Sequence, residues 1–274
     1  MTKRPTKQSR LPKAPLAEVI FELRWAIQGD EAHAVFQTDP GFPQLLDKFT
    51  KIIKPAGYSF YKDMNQPALQ TPGYGVARRY YPGADSPFPI MQIGPGIFAT
   101  NESSLYEWNS FRGQIKKGLK ALLDAYPKIG YAPLSPNRIE IRYVDVFNKT
   151  LFGKAKLFHF VKNGTNLDFK LPPMLDDRTL FSGEPAGRFV FQRSIKGRKD
   201  TMFTLDLGSG QNKESGEEIV QMVTKIQSTG AALPKLRDKN KFINEIDDWL
   251  ENAHNITSPF FKNFILPTVM QKFQ

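Results

Sequence analysis

Two stretches of the chain alternate apolar and polar residues with a period of two. Leu16–Trp25 reads LAEVIFELRW, and Arg138–Phe147 reads RIEIRYVDVF. Such alternation is typical of a β-strand that turns one face to a core. The pattern predicts that the two strands are antiparallel neighbours at the centre of a sheet, with Phe21 and Ile141 in the same layer. The alternative is two unrelated strands with ordinary surface charges.

The polar side of both stretches carries Glu-x-Arg, as Glu22 and Arg24 in the first and Glu140 and Arg142 in the second. In an antiparallel pair, Glu22 is expected to face Arg142 and Arg24 to face Glu140, which gives two opposite-charge cross-strand pairs. On an open face each pair would contribute about 0.2–1 kcal/mol. On a covered face the four would form a buried network, in which losing one partner costs about 3–5 kcal/mol, or would line a polar ligand pocket.

Apolar residues at helical spacing predict two amphipathic helices in the first half. Asp39 is expected to N-cap the first helix, with Pro40 at its first helical position. Ser104-Leu-Tyr-Glu107 is a capping box that is expected to open the second helix, which stops at Pro127. Residues 58–101 between them are expected to form antiparallel strands. The two apolar stripes are Phe42, Leu45, Leu46, Phe49, Ile52 and Ile53, and Trp108, Phe111, Ile115, Leu119, Leu122 and Tyr126.

The second half is expected to contain a β-hairpin, made by Arg188–Ser194 and Thr201–Gly208, among shorter elements. Its other predicted elements are short strands at Phe158–Val161 and Leu167–Lys170, an irregular segment at Leu171–Arg178, a flexible loop at Gly208–Gly216, a helix from a second capping box at Ser215–Glu218 through Ser228, a helix with an apolar stripe over Phe242–Ala253, and a helix that restarts at Ser258-Pro259.

These elements indicate an α+β fold, mainly antiparallel sheet packed with amphipathic helices. Residues 1–13 are expected to be a disordered basic tail, followed by α+β halves at 14–149 and 150–274 that pack as one compact unit. Each half has a hairpin followed by a helix with a Trp and then a Phe, Trp108/Phe111 and Trp249/Phe260. A duplication of two similar halves is therefore a hypothesis.

Composition narrows the chemistry. The 274 residues contain no cysteine, which excludes disulfides, thiolate nucleophiles and Cys-ligated metals. No apolar run approaches the ~18 residues that a membrane-spanning helix needs, and no signal segment follows the basic start. We therefore expect a cytoplasmic protein. The net charge of +11 favours polyanionic partners.

Two groups of basic residues are candidate nucleic-acid contacts, on the Trp108 helix and at the late hairpin. The helix group has residues at i, i+4 and i+8 and would form a ridge along a phosphate backbone. The alternative is a solvated helix face. The two groups are Arg112, Lys116, Lys117 and Lys120, and Arg193, Lys196, Arg198 and Lys199.

No catalytic, metal or cofactor motif is present in the sequence. Gly208-Ser209-Gly210 lacks the Gly-x-Ser-x-Gly elbow, and no P-loop occurs. The adjacent carboxylates of Asp247 and Asp248 diverge by about 100° on a helix, so they are expected to be solvated rather than to share an ion. The three histidines, His33, His159 and His254, have no metal-ligand spacing. His254 is expected to cap or pack near a helix end, with a general base in a cleft as the alternative.

Three motifs resemble those of a sporadically distributed bacterial protein family of unknown function. They are Pro15-Leu16-x-Glu18-Val19-x-Phe21-Glu22-Leu23-Arg24, Arg138-Ile139-x-Ile141-Arg142-Tyr143-Val144-x-Val146, and Trp249-Leu-Glu-x-Ala253-His254 followed by Phe260 and Phe264. Asp145 stands where the family usually has Asn. The resemblance transfers no activity and no catalytic residue; its patchy distribution implies a gene that travels with mobile elements or phage-defence loci.

The leading expectation is a non-enzymatic, macromolecule-binding accessory protein with a protein partner. The first alternative is a nucleic-acid-binding protein that uses the basic ridge and hairpin. The second is a small-molecule binder or enzyme with a cleft between the halves, lined by Glu22, Arg24, Glu140 and Arg142.

Overall fold

A computed structural model describes residues 14–27, 39, 41–64, 73–103, 106–127, 134–153, 156–168 and 187–273. The predictions for the basic tail, Pro40, Ser104, His33 and the segment 171–178 fall outside these residues. The strands are β1 (Leu16–Trp25), β2 (Phe60–Asp63), β3 (Arg78–Tyr81), β4 (Ile90–Gly94), β5 (Ile97–Glu102), β6 (Pro136–Phe147), β7 (Arg188–Ser194), β8 (Thr201–Gln211) and β9 (Glu218–Thr229). The α-helices are α1 (Phe42–Ile53), α2 (Trp108–Ala125), α3 (Lys149–Phe152), α4 (Leu157–Gly164), α5 (Lys239–Phe264) and α6 (Pro267–Met270).

All nine strands form one antiparallel sheet in the order β2-β3-β4-β5-β1-β6-β9-β8-β7. Strand β1 is the central strand, and it pairs with β6 over most of its length. Phe21 lies directly opposite Ile141, and both side chains are fully buried. The predicted α+β fold and its central strand pair are therefore confirmed.

One face of the sheet is covered by helices and holds the main core. The apolar side of β1, from Val19 to Trp25, packs there with the stripes of α1, α2 and α5. A second, smaller core surrounds Phe147 and Phe160 and includes Phe273 near the C-terminus. The opposite face carries the polar residues of β1 and β6. No helix among the described residues is both long and apolar enough to cross a membrane.

Three predicted elements of the second half are wrong. Residues 158–161 belong to helix α4, because Leu157, Phe160, Val161 and Gly164 share one buried face at helical spacing. Residues 218–228 form strand β9 and not a helix. Every second side chain of β9, from Val220 to Ser228, is buried, so the period is two.

The predicted loop at Gly208–Gly216 is wrong over its first part, because β8 continues to Gln211 and pairs with β9. The predicted restart at Ser258-Pro259 is also wrong. Helix α5 runs through Pro259, which removes one intrahelical hydrogen bond without ending the helix.

The two first-half helices begin later than predicted. Helix α2 begins at Trp108, and the Glu107 carboxylate caps it by accepting from the backbone N–H groups of Asn109 and Ser110. Asp39 accepts a hydrogen bond from the Gly41 N–H, one residue before α1 begins. The acidic residue of each motif therefore acts closer to the helix, or further from it, than its predicted position.

The two halves of the sheet follow the same course. In the first, β1 leads through α1 to a meander whose last strand, β5, returns beside β1 and continues into α2. In the second, β6 leads through α3 and α4 to a meander whose last strand, β9, returns beside β6 and continues into α5. The strand order therefore groups β6 with the second half, whereas the predicted boundary at 149–150 lies after β6.

The buried positions of α2 and α5 also correspond. Both helices turn the pattern Phe-x3-Ile-x3-Leu to the sheet, and all six side chains are fully buried. The hypothesis of duplicated halves gains support from this match, although it pairs Phe111 with Phe242 and not with Phe260. The matching residues are Phe111, Ile115 and Leu119 in α2, and Phe242, Ile246 and Leu250 in α5.

Gly94, at the turn between β4 and β5, leaves no space for a side chain. A Cβ atom at this position would lie 1.8 Å from the backbone oxygen of Gly75. Gly94→Ala is expected to lower the free energy of unfolding by about 2 kcal/mol or more, because backbone must move. Gly113→Ala in α2, where a Cβ meets nothing within 4 Å, is the control and should stabilise by about 0.5–1 kcal/mol. Equal effects in chemical denaturation would contradict the close contact at Gly94.

Candidate functional site

The predicted quartet lies on the sheet face opposite the main core, but its register differs from the prediction. Glu22 is directly opposite Glu140, and Arg24 is directly opposite Arg138. The expected cross-strand pairs Glu22/Arg142 and Arg24/Glu140 are therefore wrong by two residues. Like charges face each other across β1 and β6, an arrangement that is destabilising unless further charges compensate.

Glu22 is compensated by three arginines. Its Oε1 accepts a hydrogen bond from Arg24 Nε at 2.6 Å and a second from Arg138, and Arg142 lies 3.7 Å from its Oε2. Burial alone would raise the pKa of Glu22, but the hydrogen bonds and charges of Arg24 and Arg138 outweigh it and lower the pKa. Glu22 is therefore held as a buried carboxylate at neutral pH.

Glu140 is bound more loosely, although it is equally buried. Its nearest cations are Arg142 Nε at 3.6 Å and Lys225 Nζ at 3.8 Å, both beyond hydrogen-bond length. Lys225 lies on β9, directly opposite Arg142. The cluster formed by these residues, which we call the polar-face cluster, has two carboxylates and four cations, and its net charge is +2. Its members are Glu22, Arg24, Arg138, Glu140, Arg142 and Lys225.

A row of amide side chains extends the polar face toward β3. Arg79 donates to Gln92, Gln92 donates to Asn101, and Asn101 donates to Glu18, with lengths of 2.6–2.9 Å. Gln92 and Asn101 are buried, so these hydrogen bonds satisfy polar groups that have lost water. The sequence patterns did not identify this row.

The predicted basic ridge of α2 faces α5, and part of it forms ion pairs there. Arg112 binds Asp247 at 2.8 Å and Glu251 at 2.6 Å, and Lys116 binds Asp247 at 3.0 Å. Lys117 donates to the backbone oxygen of Ala56 at 2.9 Å, and Lys120 is exposed. Burial would raise the pKa of Asp247, but Lys116 and Arg112 outweigh it and lower the pKa. Asp247 is thus an ion-pair partner and not the solvated acid that we expected.

His254 lies in a buried cluster between α5, α2 and β6. Its ring stacks on Trp108 with centroids 4.1 Å apart, and its Nδ1 lies 3.2 Å from the Tyr143 hydroxyl. Burial raises the pKa of Tyr143 to about 12, so the phenol stays protonated and can donate to His254. Desolvation lowers the pKa of His254 to about 4; Lys262 and Arg112 add to this effect and Glu251 opposes it.

We expect the His254 imidazole to remain neutral well below its ordinary titration range. In an NMR titration its ring signals should move with a midpoint near pH 4, whereas the chain unfolded in guanidinium should titrate near pH 6.5. Since the folded pKa is the lower one, His254 stabilises the fold above pH 6.5, and this contribution falls as pH drops toward 4. His254→Gln assigns the signal. A folded-state midpoint of 6 or higher would contradict the burial of this ring.

The hairpin residues predicted to bind nucleic acid lie at the far end of the sheet from β2. Arg193, Lys196 and Lys199 are exposed, and Arg198 is half-buried. None of the four forms an ion pair with a described residue. They lie well outside the polar-face cluster, so the two groups of predicted site residues do not form one surface.

The described residues contain no group of three or more His, Asp or Glu side chains that could hold a metal ion. His159, on α4, is hydrogen-bonded to Asn163, and His254 is in the aromatic cluster described above. Neither catalytic role nor metal site is indicated by the described geometry, and the polar-face cluster is the most highly charged buried arrangement in it.

The chain matches no known protein-family model. A comparison with curated proteins also finds no significant match. The resemblance carried by the three sequence motifs therefore remains a prediction. In the structure, residues of these motifs contact one another: Arg138 and Arg142 hold Glu22, and Tyr143 contacts His254.

Proposed function

We propose that this chain is a non-enzymatic binding protein that recruits a protein partner through the edge strand β7. An extended segment of the partner would add to the sheet beside β7, with the chain as an accessory component of a mobile-element or phage-defence locus. The observation that carries the proposal is the exposure of large apolar side chains at the sheet edge: Val190 is 51% exposed and Phe191 45%.

The exposed apolar side chains of the described residues are concentrated on the terminal strands. All five lie on β2, on β7, or on β8 next to β7: Phe60, Tyr61, Val190, Phe191 and Met202. An unpaired edge presents backbone N–H and C=O groups that can pair with another strand. Within the described chain, β7 pairs with β8 only.

Strand β7 is the better of the two edges for this role. It has seven residues, whereas β2 has four, and the Tyr61 ring on β2 is covered by Arg78 at 4.1 Å. A longer edge gives more backbone hydrogen bonds, and apolar side chains on both faces give specificity.

The charge of the hairpin defines the partner further. Residues 188–199 contain five cations and no acid, and only Arg188 has an acidic partner, Asp206. The partner segment is therefore expected to alternate apolar residues and to carry acidic residues beside the hairpin turn.

A photo-crosslinking side chain at position 191 tests the proposal in cells that carry this chain naturally. We expect one discrete protein adduct, which is lost when Val190→Glu is added and which is absent when the probe is placed at the exposed position 214. With the purified partner, backbone amides of residues 188–194 should exchange more slowly. No adduct at 191, or no protection of β7, would contradict strand addition.

Nucleic-acid binding is the second candidate, because the four unpaired hairpin cations would also suit phosphates. Titration with duplex DNA and with RNA at two salt concentrations separates the two functions. Salt-sensitive binding at micromolar protein, weakened by Lys196→Glu and unaffected by Val190→Glu, would favour nucleic acid over a protein strand.

A further inference from the structure

Three side chains form a row across the polar face, on adjacent strands of the second half. Arg142 on β6 is directly opposite Lys225 on β9, and Lys225 is directly opposite Thr204 on β8. Directly paired residues project from the same face, with Cβ atoms about 4.5–5.5 Å apart. The row therefore brings a guanidinium, an ammonium and a hydroxyl group together.

The two cations of the row are poorly neutralised. Arg142 forms no hydrogen bond with a described residue, since both nearby carboxylates lie 3.6–3.7 Å away. Lys225 reaches Glu140 only at 3.8 Å and Gln227 at 3.5 Å. The next acid on this face, Asp206, is bound by Arg188.

Two polar atoms of the row are buried without an acceptor or donor. Arg142 Nε and Thr204 Oγ1 make no hydrogen bond within the described chain, although neither is accessible to solvent. Buried polar groups are normally hydrogen-bonded, so an arrangement of several unsatisfied groups beside excess positive charge needs a physical reason. A negatively charged acceptor placed over Lys225 would satisfy all three side chains.

We propose that Arg142, Lys225 and Thr204 bind a phosphate-sized oxyanion. A guanidinium offers several N–H donors in a fork that matches a tetrahedral oxyanion, lysine adds a mobile point charge, and a threonine hydroxyl donates one further hydrogen bond. The anion is inorganic phosphate or the phosphoryl group of a small monoester. This site is separate from the β7 edge, and it stands or falls independently of the proposed partner.

Calorimetric titration of the full chain with inorganic phosphate, against chloride at equal ionic strength, tests the site. Lys225→Met and Thr204→Val are each expected to weaken phosphate binding at least about tenfold, because each removes a hydrogen bond to a charged group. Lys213→Met removes the same charge from the exposed loop before β9 and is the matched control. Thr204→Val is nearly isosteric, so it tests the site even if Lys225→Met does not fold.

A parallel titration with glycerol 3-phosphate distinguishes the two sources of the anion. Tighter binding of the monoester would assign the site to a phosphorylated small molecule, and equal binding to the free anion; both support the proposal. Failure of the wild-type chain to bind either compound, or equal binding by Lys225→Met, Thr204→Val and Lys213→Met, would overturn it.

Discussion

Asp145→Asn is expected to raise the free energy of unfolding at pH 8 by roughly 4 kcal/mol. Asp145 lies on the helix-covered side of β6, opposite Leu16 and Met222, and burial raises the pKa of its carboxyl group to about 7. No described residue donates a hydrogen bond to it. An increase of about three pH units over the ordinary value of 3.8 corresponds to about 4 kcal/mol.

The pH dependence gives the sign. Because the folded-state pKa of Asp145 is raised, its contribution is fully present below pH 3.8 and is lost as pH rises through 7. The variant should therefore match the wild type near pH 4 and exceed it increasingly toward pH 8. His254 acts in the opposite direction below pH 6.5, so the comparison must be between variant and wild type at each pH.

Urea denaturation at pH 4, 6 and 8 measures this difference, and Asp248→Asn on the exposed side of α5 is the control. The control should change stability by less than about 0.5 kcal/mol at every pH. Asparagine is also the residue that the resemblance implies at position 145. A destabilised Asp145→Asn at pH 8 would show that the carboxylate has a charged partner or a function.

The central strand pair was predictable because both strands keep a period of two over ten residues. Their register was not, since a shift of two residues leaves Phe21 and Ile141 in the core and changes only the polar neighbours. The observed register places Glu22 opposite Glu140, and Arg138 supplies the missing compensation. Arg138 belongs to the same polar alternation as Glu140 and Arg142, so that alternation was a signal for it.

The remaining cluster residues could not be assigned from the sequence because their strands were misassigned or unplaced. Ser215-Gly-Glu-Glu218 resembled a capping box, and this local motif outweighed the period-two burial of Val220, Met222 and Ile226. Lys225 was thereby assigned to a helix. Thr204 was on a predicted strand, but nothing local indicates that β8 pairs with β9 beside β6. Long-range pairing of this kind is decided by the whole sheet.

The ridge on α2 shows the same limit for charges. The spacing of Arg112 and Lys116 was legible, whereas the acids that neutralise them come from α5, more than a hundred positions later in the chain. The corresponding faces of the two similar helices carry opposite charges: Lys116 and Lys117 on α2 match Asp247 and Asp248 on α5. Complementary charge between the halves thus accounts for part of a surface that suggested nucleic acid.

Glu22→Gln is expected to lower the free energy of unfolding by about 3–5 kcal/mol at neutral pH, because it leaves Arg24 and Arg138 half-buried and close together without their carboxylate. Glu245→Gln on α5, whose Lys241 partner is 3.9 Å away on the surface, is the control and should cost less than about 0.5 kcal/mol.

The pH profile and a double variant separate the charge effect from a loss of packing. The pKa of Glu22 is lowered in the folded chain, so its contribution is present above its unfolded pKa and disappears as pH falls through the folded one. The gap between Glu22→Gln and wild type should therefore close in acid. Adding Arg138→Met to Glu22→Gln should recover part of the loss, since one uncompensated cation is removed. A gap that is independent of pH and unchanged by Arg138→Met would mean that Glu22 contributes by shape, and that like charges across β1 and β6 are tolerated without it.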